Sequence, residues 1–399
     1  MNTRTPVLIA GLLSLSACGI AVDYGKVPHS QYVADTRCQT MPAGNAARKD
    51  LPYFVVTSRL PDCRGPQLLL TNQRGDAVRY GRFGDAVDVK SAKGKMVATV
   101  PLGLEGEAVW WGGLTDAANL RKGRVLLYVH GYRETFASTS DDAAQIARLT
   151  GFDGPVIQYS WPSQGKLLSY AVDETNMYWD QRNFRRFLSK LAGQTWVKEI
   201  IIVSHSLGAR LVIPAVEYVD RTSTNSDSSN ISNIILAAPD VDREDFERDI
   251  AEDVLSARRV NNDRRITVYV SARDKALALS RTIHGYPRLG SPYCFNPFEA
   301  AELKAKGVPV RCYASKPKYD VAPEKSGFTI IDTSDVSASA TGHSDYLSSA
   351  PACRDFADAV NGVRIRTAGR LPTDVSHVFR LPAFAKGQKP DHKGVCKIR

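Results

Sequence analysis

Apolar runs of strand length alternate with helical patterns from about residue 124 onward. The runs lie at 125–129, 156–159, 200–203, 234–237, 266–270 and 328–331. Amphipathic helical patterns lie between them at 140–149, 175–192, 208–220 and 243–257. Continuous β-branched runs are typical of strands that are buried on both faces of a parallel sheet. The pattern therefore predicts an α/β fold, with a mostly parallel central sheet flanked by helices and ligands bound beyond the carboxyl ends of its strands.

Shorter β-like segments precede this alternation, and one long segment interrupts it. A strand is predicted at 52–57, with further pieces around 67–80 and 95–101 that Gly and Asp turns separate. Residues 279–327 separate the last two predicted strands by far more than an ordinary connection. We expect this insertion either to cap or wall a site or simply to decorate the fold. The folded domain is predicted to span residues 51–363.

The chain begins with the pattern of an export signal. Arg4 gives a basic start, residues 7–15 are apolar but too short to span a bilayer, and the run ends in Leu-Ser-Ala-Cys at 15–18. This ending resembles a bacterial lipoprotein signal over residues 1–18; a plain secretory signal with a chance cysteine is the alternative. The resemblance implies that Cys18 carries a diacylglycerol and an amide-linked acyl chain, which together anchor a protein stably. Residues 19–50 would then tether the domain to the periplasmic side of the cell envelope.

The cysteine count agrees with export. The chain has seven cysteines, and the six besides Cys18 are an even set suited to disulfides: Cys38, Cys63, Cys294, Cys312, Cys353 and Cys396. The sequence does not choose among the pairings, although the shortest loops would join Cys38 to Cys63 and Cys294 to Cys312. We expect no metal site, because no CxxC pair with a nearby HxxxH occurs.

The charge of the chain is concentrated at its C-terminus. The formal net charge is +10, and a cytosolic protein of this charge would invite a nucleic-acid hypothesis. Residues 364–399, however, hold nine lysines and arginines against two aspartates, so this segment is predicted to be a basic C-terminal extension. In an exported protein its partner would be an anionic envelope surface rather than a nucleic acid; a solvated tail is the alternative.

One serine stands where a nucleophile is expected. Ser206 is the centre of the segment Ser-His-Ser-Leu-Gly at 204–208, which directly follows the predicted strand 200–203 and precedes a helical pattern. A sharp strand-to-helix turn strains its central residue and projects that side chain above the sheet. Such a turn needs small residues two positions to either side, and Ser204 and Gly208 occupy these positions. The pattern predicts Ser206 as a nucleophile.

A serine hydroxyl needs a base and a carboxylate that orients the base. On this kind of sheet they follow later in the chain in the order Ser, Asp, His. Asp274 follows the predicted strand 266–270, and His343 follows the last one. We predict Asp274 as the acid and His343 as the base. Asp240 and Asp242, which follow the preceding strand, are alternative acids.

Two backbone N–H groups are expected to stabilise the developing oxyanion. The N–H of Leu207, directly after the nucleophile, would supply one. The N–H of Tyr132, in the loop after the strand 125–129, would supply the other. We expect His205 and His130 to be structural.

These segments together resemble the α/β-hydrolase superfamily. More narrowly, residues from about 50 to 350 are similar to a bacterial family of esterase- or lipase-like hydrolases of largely unassigned function. The resemblance rests on HGY at 130–132, YSWPS at 159–163, SHSLGAR at 204–210, AAPDVD at 237–242 and SARDKAL at 271–277. It implies the same roles for Ser206, Asp274 and His343. Ser204 replaces the usual first glycine, from which we expect a tighter turn rather than a lost one.

The sequence leads to two functional hypotheses. The first is a membrane-anchored serine hydrolase that cleaves a carboxylic ester or related acyl bond through an acyl-enzyme. The alternative is a non-catalytic envelope lipoprotein that uses the hydrolase fold as a binding scaffold. No cofactor is predicted, because no Gly-rich phosphate loop follows a strand.

Overall fold

The computed structural model describes residues 51–62, 68–85, 87–90, 96–222, 230–250, 264–315, 327–362 and 369–384. Its strands are β1 (Tyr53–Asp62), β2 (Leu69–Phe83), β3 (Val87–Lys90), β4 (Met96–Thr99), β5 (Leu102–Glu105), β6 (Arg124–Val129), β7 (Val156–Ser160), β8 (Glu199–His205), β9 (Ile231–Ala237), β10 (Arg265–Val270), β11 (Phe328–Asp332), β12 (Leu371–Pro372) and β13 (Val378–Arg380). Its longer helices are α1 (Glu107–Asn119), α2 (Phe136–Thr150), α3 (Tyr170–Ala192), α4 (Ala209–Thr222), α5 (Lys275–His284), α6 (Pro297–Ala305) and α7 (Ala350–Val360).

The strands build one large, mostly parallel sheet. Its order within the described residues is β12-β13-β11-β10-β9-β8-β6-β7-β1-β2-β5, while β3 and β4 pair separately. The neighbouring strands β1, β7, β6, β8, β9, β10 and β11 all run parallel, and β13 is parallel to β11. Antiparallel pairs occur towards the two edges, where β2, β5 and β12 lie. This is the open sheet of an α/β-hydrolase fold, and the predicted fold class is confirmed.

The continuous apolar runs are explained by burial on both faces of the sheet. In β8, Ile200 and Ile202 belong to one hydrophobic cluster, and Ile201 and Val203 belong to the cluster on the opposite face. Successive side chains of a strand point to opposite faces, so a strand covered by helices on both sides needs apolar residues at consecutive positions.

The parallel register brings the carboxyl ends of the central strands together at one end of the sheet. Val129 at the end of β6 pairs with Ser204, and His205 at the end of β8 pairs with Ala237 at the end of β9. Val270 at the end of β10 is level with Asp332 at the end of β11. The loops that carry the predicted functional residues therefore leave the sheet side by side.

Some elements differ from the sequence prediction. The segment predicted as one helix at 243–257 begins as a short turn, Arg243–Asp245, and continues as a wider π-type turn, Phe246–Ile250; the rest lies outside the described residues. The segment predicted as a basic extension contributes β12 and β13 to the sheet. These strands have two and three residues, too few to produce a periodic pattern.

The insertion before β11 contains real structure. α5 begins before it, α6 lies within it, and Cys294 forms a disulfide with Cys312, one of the two shortest-loop pairings expected. Cys353 is also disulfide-bonded. The other expected pair, Cys38 with Cys63, lies outside the described residues, as do Cys18, the predicted signal and tether, Cys396 and the last part of the basic extension. Among the helices that are described, none has the length and apolar character needed to cross a membrane.

The turn at Ser206–Gly208, just before α4, approaches the end of β6 closely and yields a stability prediction. A Cβ atom added at Gly208 would lie 2.5 Å from the backbone oxygen of His130 and 2.8 Å from that of Val129. Gly208→Ala should therefore lower the free energy of unfolding by about 1–3 kcal/mol in urea denaturation, as expected for overpacking against backbone. Gly112→Ala is the matched control, because a Cβ atom there meets nothing within 4 Å in α1 and should raise stability by about 0.5–1 kcal/mol. Equal unfolding free energies for Gly208→Ala and the wild type would contradict this interpretation.

Candidate active site

The turn between β8 and α4 holds Ser206 in a strained backbone conformation. β8 ends at His205, and Ser206 has φ 51°, in the left-handed region that residues other than glycine rarely adopt. One hydrogen bond and one close backbone approach accompany this conformation. The backbone N–H of Asp240 donates to the Ser206 carbonyl oxygen at 3.1 Å, and a Cβ atom built on Gly131 would lie 2.7 Å from the Ser206 Cβ. The strained turn that the sequence predicts is present.

Ser204 does not disrupt this turn. It is fully buried in β8, and its Oγ has no hydrogen-bond partner among the described residues. An unpaired buried hydroxyl costs about 1–3 kcal/mol, so the residue at this position is tolerated rather than favoured by its surroundings.

Asp274 and His343 meet above the ends of β10 and β11. One oxygen of Asp274, Oδ1, accepts the backbone N–H of Leu277 at 2.8 Å and so caps the N-terminus of α5. The other, Oδ2, accepts from the Nδ1 of His343 at 2.7 Å. The loops are also joined directly, because the N–H of Lys275 donates to the carbonyl of Thr341 at 2.8 Å. Asp274 is thus fixed by its helix and directs its free oxygen at the imidazole.

The contact with Asp274 determines the direction in which the pKa of His343 is shifted. Burial lowers the pKa of the imidazole, but the charge and the hydrogen bond of Asp274 outweigh it, and Asp240 and Glu134 act in the same direction, so the pKa is raised. With Nδ1–H directed at a carboxylate, a neutral His343 carries its lone pair on Nε2. That nitrogen is suited to accept a proton.

His205 packs against His343, a contact that the sequence does not predict. The two rings are 4.7 Å apart, and the Nε2 of His205 lies 3.4 Å from the His343 carbonyl oxygen. Burial, together with the charge of His343, lowers the pKa of His205 to about 3, which keeps it neutral. Its Nδ1 is buried without a hydrogen-bond partner among the described residues. His205 therefore packs as an uncharged imidazole ring beside the candidate base.

The alternative acids have other partners. Asp240 is buried and accepts from Arg288 at 2.8 Å, from Ser280 at 2.6 Å and from the Tyr170 hydroxyl at 2.5 Å. Burial raises its pKa, but the neighbouring guanidinium groups outweigh this and hold it at about 2. Asp242 caps the short turn that follows it, accepting from the N–H of Glu244 at 2.9 Å.

The candidate oxyanion residues lie on both sides of the serine. Leu207 follows Ser206 directly and is buried. Tyr132 follows Gly131, whose backbone contacts the turn, and the Tyr132 hydroxyl donates to the Lys166 carbonyl at 3.3 Å. The two backbone N–H groups therefore belong to segments that meet at the nucleophile.

Buried polar groups hold the loop of Tyr132 in place. The N–H of Arg133 donates to Asp173 at 3.0 Å, and the N–H of Glu134 donates to the Ser163 Oγ at 2.8 Å. The fully buried guanidinium of Arg59 donates to the carbonyl oxygens of Glu134 at 3.0 Å and of Ser163 at 3.1 Å. Burial lowers the pKa of Arg59 to about 10. Arg59 lies in a Thr-Ser-Arg segment of β1, which is the signal in the sequence by which its role could have been found.

His130 stays neutral beneath this loop. Its ring stacks on Trp161 at 4.8 Å, and burial lowers its pKa well below the usual value.

No group of three or more His, Cys, Asp or Glu side chains suited to a metal ion occurs in the part of the chain that the structure describes.

The Asp274–His343 contact yields a prediction about pH. Asp274→Asn keeps an oxygen for the cap of α5 but removes the charge, so the pKa of His343, measured by NMR titration, should fall. Because a raised pKa stabilises the fold below the unfolded value of about 6.5 and this stabilisation is lost as the pH rises through the folded pKa, the variant should lose more stability near pH 5 than near pH 8. An unchanged pKa of His343, or a stability loss that is greater at alkaline pH, would contradict the assignment.

Comparison with known proteins places this chain in a family. No curated protein sequence matches the chain. Solved structures that resemble it are a predicted CIB-like hydrolase from Thermoplasma acidophilum (16% identity, 53% of this chain and 84% of that chain, TM-score 0.26), the phospholipase PlaB from Legionella pneumophila in complex with thio-NAD (17%, 42% and 43%, 0.26) and a Pyrobaculum calidifontis esterase (13%, 60% and 80%, 0.24). Likenesses this distant carry no argument about activity. The model of the family described as "Alpha/beta hydrolase of unknown function (DUF900)" matches residues 114–359, and the chain belongs to this α/β-hydrolase family.

Proposed function

We propose that this α/β hydrolase is a serine hydrolase that cleaves a carboxylic ester or related acyl bond. The observation that carries the proposal is the hydrogen bond of 2.7 Å between Asp274 and His343, formed at the same edge of the sheet as the strained turn at Ser206. A scaffold that only binds a ligand has no need of a carboxylate-oriented imidazole at the same end of the sheet as a strained serine.

The proposed reaction proceeds in two steps. The Nε2 of His343 takes the proton of the Ser206 hydroxyl while the Oγ attacks the carbonyl carbon of the substrate. The backbone N–H groups of Leu207 and Tyr132 stabilise the oxyanion, which collapses to the acyl-enzyme and releases an alcohol that receives its proton from His343. A water molecule, deprotonated by the same imidazole, then attacks the acyl-enzyme, which releases the acid while His343 returns the proton to the Ser206 Oγ.

The surroundings of the imidazole favour this chemistry. Asp274 stabilises the imidazolium that forms in each step, while His205 remains neutral and so avoids a second positive charge beside it. The buried Arg59 and Asp173 fix the loop of Tyr132 before substrate binds, and donors that are already in place need no reorganisation in the transition state.

We also propose that the protein is anchored in the bacterial cell envelope through a lipidated Cys18, on its periplasmic side. The support is the sequence of residues 1–18, and the paired cysteines of the folded domain agree with an oxidising compartment. The basic C-terminal segment would then face anionic envelope components.

Covalent labelling tests the nucleophile. The purified full chain should react with a fluorescent fluorophosphonate probe, and mass spectrometry should locate the adduct on Ser206. Ser206→Ala should abolish labelling. Ser232→Ala is the control, since this serine lies at the start of β9, at the opposite end of the strands from Ser206, where its Oγ donates to Glu199. An unreactive but folded wild type, or labelling that survives in Ser206→Ala, would favour the binding scaffold instead.

Metabolic labelling tests the anchor. Cells that express the chain and are fed a palmitate analogue should label the wild type but not Cys18→Ala, because the thiol is the attachment point. An unlabelled wild-type protein would leave a plain secretory signal as the interpretation.

A further inference from the structure

Helix α5 exposes apolar side chains on its outer face. Leu279 and Ile283 lie one turn apart and are 56% and 55% exposed, whereas Leu277 and Ser280 point inward and are buried. A helix on the surface of a soluble protein normally carries polar residues on its outer side. The outer face of α5 is therefore adapted to a contact other than water.

A second exposed apolar segment lies in the loop before α3. Leu167 and Leu168 are 61% and 77% exposed. The Tyr132 hydroxyl donates to the carbonyl oxygens of Lys166 and Leu167, so this loop lies beside the candidate oxyanion loop.

Tyr170 connects the two features. Tyr170, two residues after Leu168, brings its hydroxyl within 3.2 Å of the Ser280 Oγ and packs its ring against His284 of α5 at 5.8 Å. Tyr286, half exposed, extends the surface beyond the end of α5. We call this surface the apolar rim; it comprises Leu167, Leu168, Leu279, Ile283 and Tyr286.

The apolar rim adjoins the candidate catalytic residues. α5 begins at its cap Asp274, and its first residue, Lys275, is bonded to Thr341, two positions before His343. The loop of Leu167 is bonded to Tyr132. The rim thus adjoins the loops of the candidate catalytic residues on two sides.

The exposed charges of the segments that form the rim are of one sign. Residues 163–170 and 273–286 are described throughout, and their one acidic side chain is Asp274, which is buried against His343. The neighbouring carboxylate of Glu174 is paired with Arg210 and His284. Lys166, Arg273 and Lys275 are exposed in the same segments. Apolar side chains set among cations match a membrane surface with anionic headgroups. A second copy of the chain would bring the same cations, Lys166, Arg273 and Lys275, to this surface.

We propose that the apolar rim inserts into the surface of an anionic lipid bilayer and that the substrate is an acyl ester drawn from that surface. The substrate half of this inference rests on the proposed hydrolase function, whereas the membrane contact does not. Leu167 and Leu168 would enter the bilayer beside the oxyanion loop, and Leu279 and Ile283 would enter beside the loops of the base and acid.

Photo-crosslinking tests the contact independently of catalysis. The full chain carrying Ser206→Ala is mixed with vesicles of phosphatidylcholine and phosphatidylglycerol that contain a diazirine-tailed lipid, and the crosslinked peptides are mapped by mass spectrometry. Crosslinks should occur at 166–168 and 279–286 and should weaken in vesicles without phosphatidylglycerol. Mapping by position separates these contacts from any made by residues 1–18.

A matched pair of variants completes this test. Leu279→Ser with Ile283→Ser should reduce crosslinking at the rim by about tenfold or more, because each serine removes apolar area that the bilayer would bury. Leu120→Ser changes an exposed leucine between the end of α1 and the start of β6, and it should leave crosslinking at the rim unchanged. Crosslinks that avoid the rim would overturn the proposal, as would a concentration-dependent dimer of the wild type that the rim variant abolishes.

Kinetics separate the two halves of the inference. The rim variant should hydrolyse a water-soluble p-nitrophenyl ester like the wild type, but its rate on a vesicle-embedded diacyl ester should fall about tenfold, matching its loss of membrane contact. Equal losses on both substrates would contradict a role at the membrane. If the rim crosslinks to lipid but the chain does not react with fluorophosphonate, only the hydrolase proposal is contradicted. If the chain reacts with fluorophosphonate but the rim does not crosslink to lipid, only the membrane proposal is contradicted.

Discussion

The strained backbone at Ser206 is the constraint on which the site depends. A residue other than glycine is held at positive φ, where the Asp240 N–H donates to its carbonyl oxygen and Gly131 packs closely against it. The end of β6 approaches so closely that neither Gly131 nor Gly208 has room for a side chain without displacing backbone or the serine itself. The strain at one residue is thus supported by the packing of two neighbouring parallel strands and of the helix after the turn. Its result is a serine at the end of β8, beside a loop that can supply hydrogen-bond donors.

A second constraint joins the later loops to this turn. Asp274 serves two purposes, since one oxygen caps α5 and the other orients His343. The helix that presents the apolar rim is therefore fixed by the same carboxylate that orients the candidate base. On the other side of the serine, the buried Arg59 fixes the loop of Tyr132, which in turn holds the loop of Leu167. If the rim contacts a membrane, its position relative to the reacting groups is set by these buried polar contacts.

Local pattern and chain order are enough to predict the parallel strands β6 to β11 and the order of the candidate residues. Ser206, Asp274 and His343 are assigned to the correct strand ends, because strand runs are visible in the apolar pattern and parallel strands end at one edge. Asp240 stays open as an acid at that level, since the arginines that surround it come from distant segments. The packing of His205 on His343 is missed for the same reason: the direction of a side chain at a turn depends on which groups other strands bring to it. Arg59, whose partners lie up to about a hundred residues away, carries only a short motif as a signal.

The pH dependence of fluorophosphonate inactivation tests the central claim most directly, because it asks whether His343 activates Ser206. The inactivation rate of the wild type should rise through a single titration whose midpoint equals the pKa of His343 measured by NMR, and in Asp274→Asn both values should shift down together. A rate that is independent of pH in this range, or a midpoint that stays fixed while the pKa of His343 moves, would contradict the account.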